Sequence, residues 1–378
     1  MQDLTYAGAR SSAASIHTHL AQHRRQAVER GESDLASLPG NAAIAQLIDA
    51  AFWASLRREE GYVPKISLAF LGPGETPHPL VLDRPIPLDP AALSRIAPAV
   101  ERPGIHLGVH DTATGLQVWG VARTIPKYCC VVEVTEPGLV VVKHHRGEEL
   151  AKFANVAVLQ GDRVRLVDEN ASSLPDCPAL LTSLLGFGTP GSWMGSTNVL
   201  VQLAVSMRAH HRGGLLLVVP AGTTTWRESL IQPPLYAVEP PFSELAALAG
   251  APPAARSGVW RDDLARAVES VAGLTAVDGA TLLTSDYALL AFGAKVARRR
   301  GAPQLDQVMV TEPIEGGVAE MMTPSQLGGT RHLAAGQFVQ DQRDSIALVA
   351  SQDGRFTIFS WSPCENMVHA HRVETLLL

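Results

Sequence analysis

Apolar positions recur at helical spacing over the first sixty residues, then switch to short runs. Residues 12–60 are rich in Ala, Leu, Gln and Arg, residues that lose little freedom in a helix. The stretch is broken at Leu38-Pro39-Gly40, which places Asn41 to cap a second helix. In that second helix Ile44, Leu47, Ile48, Ala51 and Phe52 follow the spacing of one buried face.

From Ile66 the period changes. Ile66–Leu71 is a short apolar run followed by a Pro-rich stretch through Pro90. His106–His110, Leu116–Ala122, Cys130–Val134 and Leu139–Lys143 follow, separated by Gly, Pro, Asp and Thr. Runs of this length between turn residues predict strands, so residues 61–165 read as a small α+β module of mostly antiparallel strands. Asn170–Pro190, with Pro175, Pro178, Gly186, Gly188 and Pro190, marks a boundary.

Beyond it helix and strand alternate. Thr197–His211 predicts a helix with Leu200, Leu203, Ala204 and Met207 on one side, ended by Gly213-Gly214. Leu215–Val219 predicts a buried strand, and Arg261–Val271 an amphipathic helix with Leu264, Val268 and Val271 inward. Thr281–Thr284, Leu289–Phe292 and Val308–Val310 predict strands. Arg331–Gln340 predicts a helix, and Ile346–Ala350 and Arg355–Trp361 two strands around Gln352-Asp353-Gly354. The expected fold class is α/β. Residues 191–365 form a mixed sheet with helices packed on it, preceded by a smaller α+β domain within 1–190, with 366–378 as a C-terminal tail.

Bulk properties narrow the function classes. A chain of 378 residues favours two domains. With 46% hydrophobic and 18% charged residues it has ample core material and is not disordered by composition. A net charge of −6 lacks the basic footprint of a general nucleic-acid binder. No apolar run reaches the ~18 residues of a membrane span, and Met1 to Arg10 contains no leader-like apolar core. Four cysteines, two of them adjacent at 129 and 130, do not make a disulfide framework. A soluble cytoplasmic protein is expected, with no membrane partner.

Two short motifs carry the chemistry. Asp278-Gly279-Ala280 lies between a predicted helix and strand, and Gly328-Gly329-Thr330-Arg331-His332 lies just before a helix. Glycines ahead of a helix allow close backbone approach to a ligand, and the helix N-terminus offers free N–H groups to phosphate. Thr330 adds a hydroxyl, and Arg331 a planar cationic fork. Asp278, on a turn, suits a divalent cation or a hydroxyl proton. Taken singly, each motif also reads as an ordinary turn or a capped loop.

In their order and surroundings these stretches resemble the diadenylate cyclase family, which includes the DNA integrity scanning protein. The resemblance rests on Val277–Ala280, Leu327–Ala335 and Ala347–Gly354, with Gly213–Pro220 similar to the family's first strand. It covers about residues 193–362. It implies a nucleotidyltransferase that condenses two ATP into cyclic di-AMP and two pyrophosphates. Asp278 would be catalytic and hold the metal. Gly279 and Ala280 would shape the nucleotide floor. Gly329, Thr330, Arg331 and His332 would hold the triphosphate, with Arg331 and His332 catalytic, and Ser351 would contact the terminal phosphates. The implied cofactor is Mg²⁺ or Mn²⁺, consistent with hard oxygen ligands. The implied partner is a second copy, because each domain carries half of a face-to-face reaction centre.

The sequence departs from that pattern twice. The family's second Arg, after the His, is Leu333, and the acidic pair after the Ser is Gln352-Asp353. Arg343 or Arg355 are candidates to replace the missing charge. The alternative is a degenerate nucleotide-binding or assembly module without turnover. By analogy with the family, the N-terminal region is expected to be a sensor domain.

The remaining polar clusters read as structural. His17, His19 and His23 are expected to be exposed, and His144-His145-Arg146 to be a solvated strand end. His106 and His110 fall on one strand face beside Asp111 and Trp119, a possible ligand site. Cys129 and Cys130 read as buried thiols, and Trp226, Trp260 and Trp361 as core or interface anchors.

Overall fold

The computed structural model describes residues 5–58, 61–145, 153–168, 199–256 and 258–378. The chain forms two compact units, Met1–Val167 with Leu378, and Asp168–Leu377. The boundary expected at Asn170–Pro190 lies outside the described residues.

The first unit opens with two helices, α1 (Ala7–Glu29) and α2 (Asn41–Ser55). Ile44, Leu47, Ile48, Ala51 and Phe52 are all buried, as their spacing predicts. The N-cap of α2 is Gly40 rather than Asn41, which is the first helical residue. Without a side-chain cap there, α2 depends on its buried face. That face meets β1 (Ile66–Phe70), β5 (Cys130–Glu136) and β6 (Leu139–His145).

The eight-stranded sheet runs β2-β4-β3-β1-β5-β6-β7-β8. Its other members are β2 (Leu80–Pro87), β3 (His106–Thr112), β4 (Gly115–Ala122), β7 (Phe153–Gln160) and β8 (Arg163–Leu166). Every pairing is antiparallel except β1 with β3. Strand β2 escapes the hydrophobic pattern because it is an edge strand carrying Pro85 and Pro87, with most positions exposed. A short helix, α3 (Pro90–Ile96), follows it, capped by Asp89, whose side chain accepts from the amides of Ala91 and Ala92.

The second unit is a nine-stranded mixed sheet, β10-β12-β11-β9-β15-β16-β17-β13-β14, ending on the short edge strand β14 (Glu320–Met322). Strand β9 (Gly214–Val219) lies in its interior and is buried at every position. Leu215, Leu217 and Val219 share a core with Phe338 and Val339 of α8 (Thr330–Asp341). Leu216 and Val218 are buried too and, by alternation, serve the opposite face. A continuous apolar run therefore reports a strand covered on both sides. Helices α4 (Val199–Ala209) and α6 (Gly258–Leu274) pack on each other, and α4 also meets β15 (Ile346–Ala350). The short α5 (Glu244–Ala249) packs on α6, and α7 (Pro324–Leu327) on α8.

Two strands depart from the sequence expectation. β10 (Tyr236–Phe242) is an edge strand with Pro240 and Pro241, again mostly exposed. β17 (Met367–Arg372) falls in the stretch expected as a tail. It pairs with β16 (Phe356–Ser362) and β13 (Val308–Thr311), so this stretch supplies an internal strand of the sheet. No helix among the described residues is long and apolar enough to cross a membrane.

Candidate functional site

Antiparallel pairing brings the first motif against a segment that carries no motif. β11 (Ala280–Thr284) pairs with β12 (Leu289–Ala294), with Ala280 opposite Ala294. The residues before β11 therefore face those after β12. Asp278 sits across from Lys295, and its Oδ2 accepts from Lys295 Nζ at 2.6 Å. The pair is open to solvent, with side chains 90% and 48% exposed.

Gly279 makes this crossing possible. Its φ is +121°, and a Cβ there would stand 2.5 Å from the carbonyl carbon of Gly293. No side chain fits, so the glycine is a backbone requirement before it is anything else.

The second motif arrives from the other side. Gly329 is the N-cap of α8, and the helix's first backbone bond is donated by His332 to the Gly329 carbonyl at 3.0 Å. The amides of Thr330 and Arg331 precede that bond. Space beside Gly329 is open. Gly213 gives the Arg331 side chain its room, since a Cβ at 213 would lie 2.8 Å from Arg331 Nη1. Arg331 Nε is buried without a hydrogen-bond partner among the described residues.

The two motifs line one cavity of about 480 Å³. Asp278, Gly279, Ala280, Thr330 and Arg331 all contribute to its wall. Lys295 and Arg298 add two further cations, and Asp278 is the one carboxylate among the lining residues. Leu215, Ala294 and Leu333 supply apolar surface. Gln337 holds the neighbouring loop: its Oε1 accepts from the Leu305 amide at 2.9 Å, and its Nε2 donates to the Pro303 carbonyl at 3.2 Å. The Lys295 hydrogen bond and charge, with Arg331's charge added, hold the Asp278 carboxyl below the usual carboxylate range. Asp278 is therefore ionised at neutral pH.

Three expected site residues do not line the cavity. His332 is buried under Gly328, where a Cβ would stand 2.4 Å from its Nδ1, and its ring meets Phe359 edge-on at 6.1 Å. Burial pushes its imidazolium down, which favours the neutral ring at pH 7. Gly329 borders open space without forming the wall. Ser351 ends β15 in a turn, its amide donating to the Arg355 carbonyl at 2.9 Å. The two cations considered as substitutes for the absent Arg are committed elsewhere. The Arg343 guanidinium lies over Trp361 at 3.8 Å, and Arg355 pairs with Asp353 at 3.3 Å.

Sequence reasoning missed Lys295 and Arg298. The signal was present in the hairpin: apolar runs at 281–284 and 289–292 around Ser285-Asp286 force residue 278 opposite the mid-290s.

A divalent cation can be tested against these donors. No group of three or more His, Cys, Asp or Glu among the described residues could hold one. A single exposed carboxylate fits an ion that arrives on a polyphosphate, which commonly takes only one or two protein carboxylates.

The described polar side chains of the N-terminal unit make several buried contacts. His23, expected at the surface, is buried and its Nδ1 meets His144 Nε2 at 2.9 Å. His144 is also fully buried and stacks on Tyr128, so it is no solvated strand end; Arg146 lies outside the described residues. His106 Nδ1 bonds Ser67 Oγ at 2.7 Å. Cys129 and Cys130 are buried as expected, and burial raises both thiols, Cys130 to about 12, which opposes thiolate redox chemistry. Trp226 is buried, its Nε1 donating to the Thr223 carbonyl, and Trp361 packs at the core margin.

No curated protein matches the chain. Residues 33–123, about a quarter of the chain, match the family model described as probable sensor domain DACNV, and this part of the N-terminal unit is similar to that sensor domain.

Proposed function

We propose that the C-terminal unit is a diadenylate cyclase, a nucleotidyltransferase condensing two ATP into cyclic di-AMP and two pyrophosphates. One observation carries the reading. Asp278-Gly279-Ala280 and Thr330-Arg331, some fifty residues apart, converge on one cavity whose cations outnumber its carboxylate. A sensor domain of the kind that stands N-terminal in such cyclases is similar to residues 33–123, which adds to the reading.

In this reading the cavity binds one ATP. The free amides at the start of α8 and the Arg331 guanidinium receive the phosphates. The apolar wall, with Leu215 and Ala280, accepts the base and sugar. A divalent cation, Mg²⁺ or Mn²⁺, would be held by Asp278 and would neutralise charge on the phosphates. A carboxylate kept below its usual range is a weak base, so Asp278 is better suited to that task than to removing a proton.

The 3′-hydroxyl of one nucleotide attacks the α-phosphorus of the other. A P–O bond forms, the bond to pyrophosphate breaks, and the hydroxyl proton leaves to water. The exchange occurs twice, so two domains must face each other and turnover requires at least a homodimer. Such chemistry asks the protein mainly for positioning and charge neutralisation.

The test is direct: purified full-length protein is incubated with ATP and Mn²⁺, and cyclic di-AMP is sought by chromatography. Product whose specific activity falls on dilution through the dimer dissociation constant is expected. ATP binding without product would instead favour the binding-module reading, for which Leu333 in the cavity wall is the specific observation.

A further inference from the structure

Position 333 lies on the cavity wall and carries no charge, yet the cavity is not short of cations. Lys295 and Arg298 follow β12 and join Arg331 in the lining. Lys295 is bonded to Asp278. Arg298 is exposed and has no ion pair or hydrogen bond among the described residues.

Its neighbour behaves differently. Arg299 pairs with Glu228 at 3.2 Å, and its amide donates to Asp341 Oδ2 at 2.7 Å. The cluster Arg298-Arg299-Arg300 is therefore not a uniformly solvated charge run. One member faces the cavity and the next is tied to other elements. Three cations around one recess repel each other unless an anion completes them, and Asp278 offsets only one. Arg331 Nε, buried and unpartnered, marks the same deficit from the α8 side.

We propose that Arg298, assisted by Lys295, binds the phosphate chain of the ligand and supplies the charge that Leu333 does not. The nucleotide part of this statement rests on the cyclase reading; the polyphosphate part does not. A planar guanidinium takes two phosphate oxygens at once. Lys295 has two acceptors within its reach, Asp278 and an incoming phosphate oxygen, and moving to the second releases Asp278 for a cation.

The probes are inorganic tripolyphosphate without metal, and a non-hydrolysable ATP analogue with Mg²⁺, titrated calorimetrically into the full chain. Arg298→Gln is expected to weaken tripolyphosphate at least tenfold, the lower bound for losing a charge-assisted contact of ~1.5 kcal/mol. The salt dependence of binding should become shallower. Arg299→Gln should bind within about twofold of the unaltered protein, as surface substitutions usually change little. Asp278→Asn should tighten metal-free tripolyphosphate, because it removes a negative charge and frees Lys295. Equal affinity for Arg298→Gln and the unaltered protein, or no binding of tripolyphosphate by the latter, overturns the proposal. If Arg298-dependent binding is found but no cyclic di-AMP is formed, the polyphosphate site stands and the cyclase reading falls.

Discussion

The Lys143–Glu133 pair of the N-terminal unit and the Lys295–Asp278 pair of the C-terminal unit share one chemistry in opposite surroundings. The Lys143 side chain is 12% exposed and lies 4.6 Å from the Phe153 ring centre. Burial pushes its ammonium down to about 8. Asp278 is 90% exposed and stands at a cavity. Exchanging partners is costly for the first pair, because each charge would be left in a poor solvent. It is cheap for the second, where water or an incoming ligand replaces the partner. Burial thus separates a charge pair that holds a fold from one available for binding.

The largest expected effect strikes the open pair. On the cyclase reading, Asp278→Asn should lower cyclic di-AMP formation by about 100-fold or more, the scale of a lost electrostatic contact at a reacting phosphate. Its urea unfolding midpoint should match the parent's, as expected for a solvent-exposed position. Wild-type turnover in this variant would remove Asp278 from the chemistry, and a large stability loss would erase the contrast between the pairs.

Lys143→Ala makes the reverse prediction. It leaves Glu133 partly buried without its cation and should cost roughly 2–4 kcal/mol in denaturant unfolding, below the full cost of a completely buried pair. Tripolyphosphate affinity should not change.

The third prediction extends the closed class to a neutral group. His371 is buried, its Nδ1 lies 2.7 Å from Thr311 Oγ1, and burial lowers its pKa from 6.5 to about 3. Between those values the unfolded chain binds a proton that the folded chain refuses. Stability is therefore full above 6.5 and falls with acidification, by up to ~1.4 kcal/mol per pH unit. Urea unfolding from pH 7 to 5 should show that slope, and His371→Gln should flatten it. An unchanged slope would mean that His371 takes up its proton without unfolding.

The smallest effect sharpens the open site. If Arg298 supplies the cavity's charge, Leu333→Arg alone should change ATP affinity by less than about threefold, while the same change on Arg298→Gln should restore most of the loss, the non-additivity expected of residues sharing one ligand. A large gain for Leu333→Arg in the otherwise unaltered protein would show that the charge had simply been missing.

The sequence was legible where burial imposes a period. The α2 face, β9 and the strands from Cys130 to Lys143 follow from apolar spacing alone. β2 and β10 were not legible, because edge strands expose their residues and tolerate the prolines that argue against a strand. Asp278, Thr330 and Arg331 were found as motif members, and the fold brings them to one cavity. His332 belongs to the same motif but turns into the core, since its place in the first turn of α8 sets it beneath Gly328 and against Phe359. Lys295 and Arg298 belong to no motif. Their relevance comes from strand register, a pairwise property that a linear scan for motifs does not weigh.

The backbone crossing at Gly279 and Gly293 has a consequence for descent. The Asp-Gly-Ala triplet reads as one signature, but its first two residues stand under different physical constraints. Gly279 is enforced by contact with a neighbouring strand and would persist in any lineage that keeps this sheet. Asp278 is 90% exposed and meets the surface Lys295, so packing places little demand on its identity. In a relative lacking the activity proposed above, the acidic position should vary first while the glycine endures. The identity of residue 278, rather than the presence of the glycine beside it, is what would sort working members from silent ones.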